Sequence, residues 1–167
     1  MLIPKSRHLH ILAFLAVIGL LATAMFFEHV MMLEPCPLCI TQRVAFLILG
    51  LISLAAAIHN PPGRGLRVYG GLILTFAIVG AGLAIRQLYL QGLPPEEAPA
   101  CMPGIGYLAD VLPMNELIRV MFSGTGGCAE VQWRFLGLSI PGWTHVAFIG
   151  YGLFGVLEMF RKRDIVR

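Results

Sequence analysis

Charged residues are scarce in this sequence of 167 residues. Asp, Glu, Lys and Arg together make up 13% of the chain, whereas soluble domains contain roughly 25%. Hydrophobic residues make up 57%. This composition argues against a soluble globular domain and predicts a protein that resides in a membrane.

Four long apolar runs carry the predicted fold. A membrane-spanning helix needs roughly 17–25 mostly apolar residues, and backbone polar groups in lipid must be paired within the helix. The second run reaches this length when the turn before it, Ile40–Arg43, is included. The sequence therefore predicts an all-α membrane protein, a four-helix up-down bundle that forms a single domain over residues 1–167, with spans at about 11–27, 42–58, 68–85 and 143–160.

The first run could instead be a secretory signal peptide. Lys5 and Arg7 precede it, and Ala22-Thr23-Ala24 resembles a cleavage site. The run is longer than the roughly 7–15 residues of a signal-peptide core, however, and it continues through Phe27. We therefore expect an uncleaved span.

The distribution of charge predicts the orientation. Eight of the twelve basic residues fall in segments 1–10, 59–67 and 161–167, and seven of the nine acidic residues fall on the other side. The positive-inside rule then places both termini in the cytoplasm and loops 28–41 and 86–142 in the periplasm of a bacterial inner membrane. All four cysteines lie in these loops, on the side where disulfides persist.

The four cysteines allow three pairings, among which sequence alone does not choose. Cys36 and Cys39 form a C-x-x-C motif in which Pro37 suits the first position of a helix. The start of a helix favours a thiolate, so this pair is a candidate for reversible oxidation. A structural disulfide and a zinc site are the alternatives, but zinc favours a second closely spaced pair of ligands, so no metal is expected.

Arg43 follows Cys39 by about one helical turn, at the predicted lipid boundary. A charge at that depth is costly unless the side chain reaches the interface or has a partner. Beside a C-x-x-C motif, a guanidinium could also stabilise a thiolate or the oxygens of a reduced, anionic small molecule.

The predicted loop 86–142 is long enough to indicate a function. Cys101 follows a Pro-rich, extended stretch, and Cys128 lies in a Gly-rich stretch predicted to be flexible. A second cysteine pair on such a loop could exchange with a water-soluble protein. Between the two cysteines, apolar residues at helical spacing predict a short amphipathic helix, which lies on the membrane surface or packs on the bundle: Met114, Leu117, Ile118, Met121 and Phe122.

Three features together resemble the DsbB family of bacterial disulfide bond formation proteins, over nearly the whole chain. They are the motif C-x-x-C-x-x-x-R at the start of the second span, two further cysteines in a long outer loop, and the stretch "CAEVQWRFLGLSIPGW". The resemblance implies a quinone-dependent enzyme that reoxidises a thioredoxin-like periplasmic oxidase, DsbA, and passes the electrons to membrane ubiquinone or menaquinone. The implied partners are this oxidase, the quinone pool and the lipid bilayer, with no nucleic acid.

The resemblance also implies roles for individual residues. Cys101–Cys128 and Cys36–Cys39 would be two redox-active disulfides, with Cys101 forming the mixed disulfide with DsbA and Cys36 exchanging with Cys128. Cys39 would face the quinone as a thiolate, and Arg43 would assist quinone binding. The chain departs from the pattern at two positions: Gln87 lies near the place where some members have a histidine, and Gln42 where an acidic residue also occurs.

Two other functions remain open. A protein of the vitamin-K-epoxide-reductase type also couples a C-x-x-C motif to quinones, but there the motif follows the loop cysteines, whereas here it precedes them. A non-enzymatic four-span protein with two structural disulfides is the second alternative. Structural disulfides resist a glutathione buffer and catalytic ones exchange with it, so this measurement separates the two.

Overall fold

The computed structural model describes residues 6–94, 96–102 and 105–161. Within them the chain is mostly helical, with one short 3₁₀ turn and one hairpin whose strands have two residues each. The elements in chain order are α1 (Ser6–His29), α2 (Pro37–His59), α3 (Arg64–Gln91), α4 (Ile105–Val111), α5 (Met114–Ser123), the 3₁₀ turn Gly126–Cys128, β1 (Arg134–Phe135), β2 (Leu138–Ser139) and α6 (Ile140–Phe160).

In the described part of the chain, four helices are long and apolar enough to cross a membrane: α1, α2, α3 and α6. The predicted four-span membrane fold is therefore confirmed, and each helix contains one predicted span. The helices are longer than the apolar runs. The largest difference is in α3, which continues to Gln91, so that Arg86 and Gln87 lie on the helix and not in the predicted loop 86–142.

Helix α2 begins at the C-x-x-C motif, five residues before the start of the predicted span. Cys36 is the N-cap residue, and its sulfur accepts a hydrogen bond from the Cys39 backbone N–H at 3.3 Å. Pro37 occupies the first helical turn, where its missing N–H has no intrahelical role. At the other end, Asn60 adopts a left-handed conformation and its N–H bonds to the Ala56 carbonyl oxygen, which ends the helix before the turn to α3.

Close contact between α3 and α6 depends on small residues. A Cβ atom built on Gly155 would lie 2.8 Å from the Gly70 carbonyl oxygen, and one on Gly80 would lie 2.1 Å from the ring of Phe148. The helix backbones therefore approach as they do at small-residue contacts in other membrane bundles. Phe148 fills the space over Gly80 and stacks on Phe46 of α2 at 4.0 Å between ring centroids, at the centre of the core.

The outer surface of the bundle is apolar. Leu12, Leu15, Ile78 and Leu153 are each more than half exposed, although their helices are packed together on the opposite faces. A soluble protein rarely exposes so large an apolar area. These faces are suited to contact lipid, and the chain is a multi-pass membrane protein.

The segment that connects α3 to α6 has more structure than the sequence predicts. The amphipathic helix is confirmed as α5, but α4 and the β1–β2 hairpin were not predicted. The hairpin turns at Leu136 and Gly137, which both have positive φ as a tight two-residue turn requires.

Helix α5 packs on the bundle at its C-terminal end, one of the two placements that its sequence left open. Its end is attached to the bundle, because the Thr41 hydroxyl donates to the Met121 carbonyl oxygen at 3.0 Å and Arg86 Nε donates to that of Ser123 at 3.2 Å. No residue of α5 is buried, and Met114 and Phe122 are among its exposed apolar side chains.

Candidate functional site

Three of the four cysteines meet at the start of α2. Cys36 and Cys128 are both buried in one apolar cluster with residues of α2 and α3, and Cys39 packs against that cluster. The sulfurs of Cys36 and Cys39 are 2.8 Å apart, and a disulfide bond needs about 2.05 Å, so a shift of less than about 1 Å would close the pair.

Cys128 does not lie in a flexible stretch, and that prediction was wrong. Its side chain is completely buried, and it ends a 3₁₀ turn in which its N–H bonds to the Thr125 carbonyl oxygen at 2.9 Å. The glycines serve close packing instead. Gly124 has a φ of 81°, and a Cβ atom there would lie 2.7 Å from side-chain atoms of Leu38 and Leu90.

Hydrogen bonds among the sulfurs shift the pKa values of Cys36 and Cys128 in opposite directions. Hydrogen bonding from Cys36 lowers the pKa of Cys128 against the effect of burial, and backbone N–H groups of Thr125 and Leu38 lower this pKa further. Hydrogen bonds with Cys128 and Cys39, followed by burial, raise the pKa of Cys36. Of these two thiols, Cys128 is therefore the more acidic.

Cys101 is exposed. It lies against the turn that carries Cys128, because the Gly126 N–H donates to the Ala100 carbonyl oxygen at 3.1 Å. A Cβ atom on Gly126 would lie 2.9 Å from the Cys101 sulfur. The fold therefore places Cys101 beside Gly126, which precedes Cys128 by two positions in the chain. The pairing of the four cysteines stays a prediction.

Arg43 has a partner that the sequence analysis missed. Its guanidinium forms an ion pair with Glu28 of α1, and Nη2 donates to the Ala24 carbonyl oxygen at 3.2 Å. Both side chains of the ion pair are partly buried. Glu28 ends the first apolar run, and nothing in the sequence links it to Arg43. The proposed role of Arg43 in quinone binding stays a prediction.

A cavity of about 90 Å³ lies between the long helices beside these groups. Its polar lining includes Cys39, Arg43, Gln42 and Gln87, and its other walls are mostly apolar. A larger, almost entirely apolar groove of about 380 Å³ adjoins it and shares five of its lining residues: Leu20, Ala24, Phe27, Ile140 and Thr144. Phe27, Trp133, Phe135 and Trp143 make this groove aromatic.

Gln42 and Gln87, the two positions at which the sequence departs from the family pattern, are both buried and bonded to each other. Gln42 Nε2 donates to Gln87 Oε1 at 2.7 Å, and Gln87 Nε2 donates to the sulfur of Cys39 at 3.1 Å. The hydroxyl of Thr144 on α6 donates to Gln42 Oε1 at 2.6 Å. Thr144 was not predicted as a site residue, because no local pattern relates it to a residue so far away in the chain.

Metal binding finds no support in the geometry. Among the residues that the structure describes, no group of three or more His, Cys, Asp or Glu side chains is arranged to hold a metal ion.

Comparison with known proteins gives one consistent result. The sequence model of the family described as "Disulfide bond formation protein DsbB" matches residues 6–157. A protein of Hahella chejuensis named disulfide bond formation protein B is 53% identical over 87% of this chain and 88% of its own length. Proteins of the same name from Marinobacter nauticus and Saccharophagus degradans are 52% and 44% identical, covering 95% and 96% of this chain and 96% of each relative.

Proposed function

Because the chain belongs to the DsbB family of disulfide bond formation proteins, we propose that it oxidises the dithiol of a thioredoxin-like, DsbA-type oxidase and passes the electrons to a membrane quinone. In this proposal it is an enzyme of the bacterial inner membrane, with both termini in the cytoplasm and the cysteines on the periplasmic side. One observation carries it: three sulfurs meet beside a cavity among apolar helices, while the fourth is exposed next to them.

The first step is exchange between the soluble donor and the Cys101–Cys128 disulfide. A donor thiolate attacks the exposed Cys101 sulfur, the S–S bond breaks, and Cys128 leaves as a thiolate. The backbone N–H groups of Thr125 and Leu38, which lower the pKa of Cys128, help it to leave as a thiolate. The second donor thiol then attacks the mixed disulfide, so that the donor becomes a disulfide and Cys101 is reduced. Two electrons and two protons are transferred in total.

The second step is exchange between the two cysteine pairs of this chain. The Cys128 thiolate attacks the Cys36 sulfur of the Cys36–Cys39 disulfide, Cys39 leaves as a thiolate, and Cys101 then displaces Cys36 to restore the loop disulfide. Cys36 and Cys128 lie in one cluster, so their sulfurs need little movement to react. The hydrogen bond with Cys39 and burial raise the pKa of Cys36, which favours the proton on Cys36 in the reduced pair.

The residues around Cys39 suit a quinone. A bound quinone would accept two electrons and two protons from the Cys36–Cys39 dithiol, which becomes a disulfide. Arg43 offers N–H donors to carbonyl oxygens, Cys39 offers the electron-donating sulfur, and the other walls of the cavity are mostly apolar. The adjoining aromatic groove is suited to hold an apolar tail.

Quinone reduction by the purified protein in detergent tests this proposal. A reduced thioredoxin-like dithiol protein is supplied as electron donor, and loss of the oxidised-quinone absorbance is followed for ubiquinone and menaquinone separately. We expect turnover with at least one quinone and none in Cys39→Ser or Cys101→Ser. No turnover with either quinone, together with four cysteines that stay oxidised in a glutathione buffer, would refute the proposal and indicate structural disulfides instead.

A further inference from the structure

A continuous chain of polar side chains crosses the apolar bundle and ends at the cysteine sulfurs. Thr144 Oγ1 donates to Gln42 Oε1 at 2.6 Å, and Gln42 Nε2 donates to Gln87 Oε1 at 2.7 Å. Gln87 Nε2 then donates to Cys39 Sγ at 3.1 Å and to Cys36 Sγ at 3.3 Å. The three polar residues come from α6, α2 and α3, and both glutamines are only 3% exposed.

The direction of the chain follows from the need to satisfy buried amides. The oxygen of each buried amide needs a donor, and its nitrogen needs an acceptor. The Thr144 hydroxyl supplies the donor for Gln42 Oε1, which lies closer to it than its other acceptor, the Pro141 carbonyl oxygen at 3.0 Å. Gln42 therefore presents its N–H groups to Gln87, and Gln87 presents its two N–H groups to the two sulfurs.

We propose that Gln87, oriented by Gln42 and Thr144, stabilises the thiolate of the reduced Cys36–Cys39 pair by hydrogen-bond donation. Gln87 touches the reacting sulfurs, whereas Gln42 and Thr144 are positioning residues. The catalytic consequence rests on the proposed function, but the effect on the thiols does not.

The surroundings explain why a neutral amide carries this role. A thiolate among apolar side chains is costly unless donors surround it, and hydrogen bonds to a charged acceptor are the stronger kind. The nearby cation, Arg43, is bound to the Glu28 carboxylate, which balances its charge. A disulfide carries no charge and gains less from the same N–H groups, so Gln87 favours the reduced pair over the oxidised one.

The first test uses the whole reduced protein in detergent and needs no quinone and no donor protein. Alkylation of Cys39 is followed by mass spectrometry across a pH series, and the Cys36–Cys39 pair is equilibrated with glutathione. In Gln87→Met, which keeps the length of the side chain but has no donor, we expect about tenfold slower alkylation of Cys39 at pH 7. The glutathione equilibrium should move about tenfold towards the disulfide, which is about 30 mV for a two-electron couple.

The second test addresses the positioning residues with matched variants. Thr144→Val removes the hydroxyl and keeps the shape, so it should change alkylation and equilibrium in the same direction, by about threefold. Thr144→Ser keeps the hydroxyl and should behave as the wild type. Thr75→Val is the control, because the exposed Thr75 hydroxyl bonds only to its own helix, at the Gly71 carbonyl oxygen.

The outcomes separate this inference from the proposed function. Unchanged or faster alkylation of Cys39 in folded Gln87→Met overturns the inference, since faster alkylation means that the amide accepts from the thiols. If Gln87→Met does not fold, equal behaviour of Thr144→Val and Thr75→Val overturns it. If the wild type reduces no quinone but alkylation of Cys39 is still slower in Gln87→Met, only the proposed function is refuted.

Discussion

Replacing Gly124 with alanine should release Cys128 from its buried position. Gly124 has φ 81° and ψ 166°, a backbone conformation that is essentially restricted to glycine. Its added Cβ would also lie 2.7 Å from atoms of Leu38 and Leu90, which are both almost fully buried. The substitution therefore acts on the contact that holds the Cys128 turn against α2 and α3.

The magnitude follows from these two effects. Backbone strain of this kind costs about 1–3 kcal/mol, and forcing an extra methyl group into a packed site costs about 1–3 kcal/mol. Their lower limits add to about 2 kcal/mol, which corresponds to a factor of about 30 in the equilibrium between docked and released turn. The helices themselves should be unaffected, because Gly124 lies outside them.

Alkylation of Cys128 in the reduced native protein measures this equilibrium. The Cys128 side chain is fully buried, so a water-soluble reagent reacts only when the turn is released, and the rate reports the released fraction. We expect alkylation at least about 30-fold faster in Gly124→Ala, with the rate for the exposed Cys101 as internal reference. Transfer between the two cysteine pairs should slow accordingly.

Gly127→Ala is the matched control. A Cβ atom at Gly127 meets only Thr125 Oγ1, at 3.8 Å, and its φ lies outside the left-handed range. Cys128 alkylation in this variant should stay close to the wild-type rate. Equal rates in Gly124→Ala and wild type, or an equal increase in both variants, would show that Gly124 does not hold Cys128 in place.

Two further predictions concern the site. Arg43→Gln should raise KM for the quinone about tenfold, since a hydrogen bond from a charged donor contributes about 1.5 kcal/mol or more. Exchange between the cysteine pairs should stay unchanged, and a change in exchange alone would contradict the proposed role of Arg43. Because the pKa of Cys128 is lowered, ionisation of Cys128 stabilises the folded protein. This stabilisation is complete above the ordinary pKa of a thiol, about 8.5, and is lost as pH falls through the lowered pKa of the folded state. The raised pKa of Cys36 lowers the stability as pH rises above that value. The thermal midpoint of the reduced protein should therefore be highest at about pH 8.5, and Cys128→Ser should make the rise towards it smaller.

The length of α3 shows how far local sequence reasoning reaches. Arg86 interrupts the apolar run, so the predicted span ends at residue 85, yet the helix continues to Gln91. Arg86 is accommodated because it points outwards, over the ring of Tyr89 at 5.6 Å, and donates to the Ser123 carbonyl oxygen. Gln87 is accommodated because α2 supplies a partner for its amide. Neither partner is predictable from the neighbouring residues.

The cysteines show the same difference between what neighbouring residues predict and what the packed helices determine. Cys36, Cys39 and Pro37 act within one helical turn, so the sequence indicated that Pro37 suits the start of a helix, although the predicted span began at about residue 42. The burial of Cys128 depends on Leu38 and Leu90, from two other parts of the chain. A Gly-rich sequence alone does not distinguish a flexible segment from a closely packed one, since glycine permits both mobility and close packing.

The sequence by itself determined that this chain spans a membrane four times, that it carries a C-x-x-C motif with a following arginine, and that it belongs with disulfide bond formation proteins. These properties depend on composition and on spacings of a few residues. Only the tertiary structure decided which groups face the sulfurs. The ion pair of Arg43 with Glu28 and the chain from Thr144 to Gln87 join residues 15 to 102 positions apart, and such contacts exist only once the helices are packed.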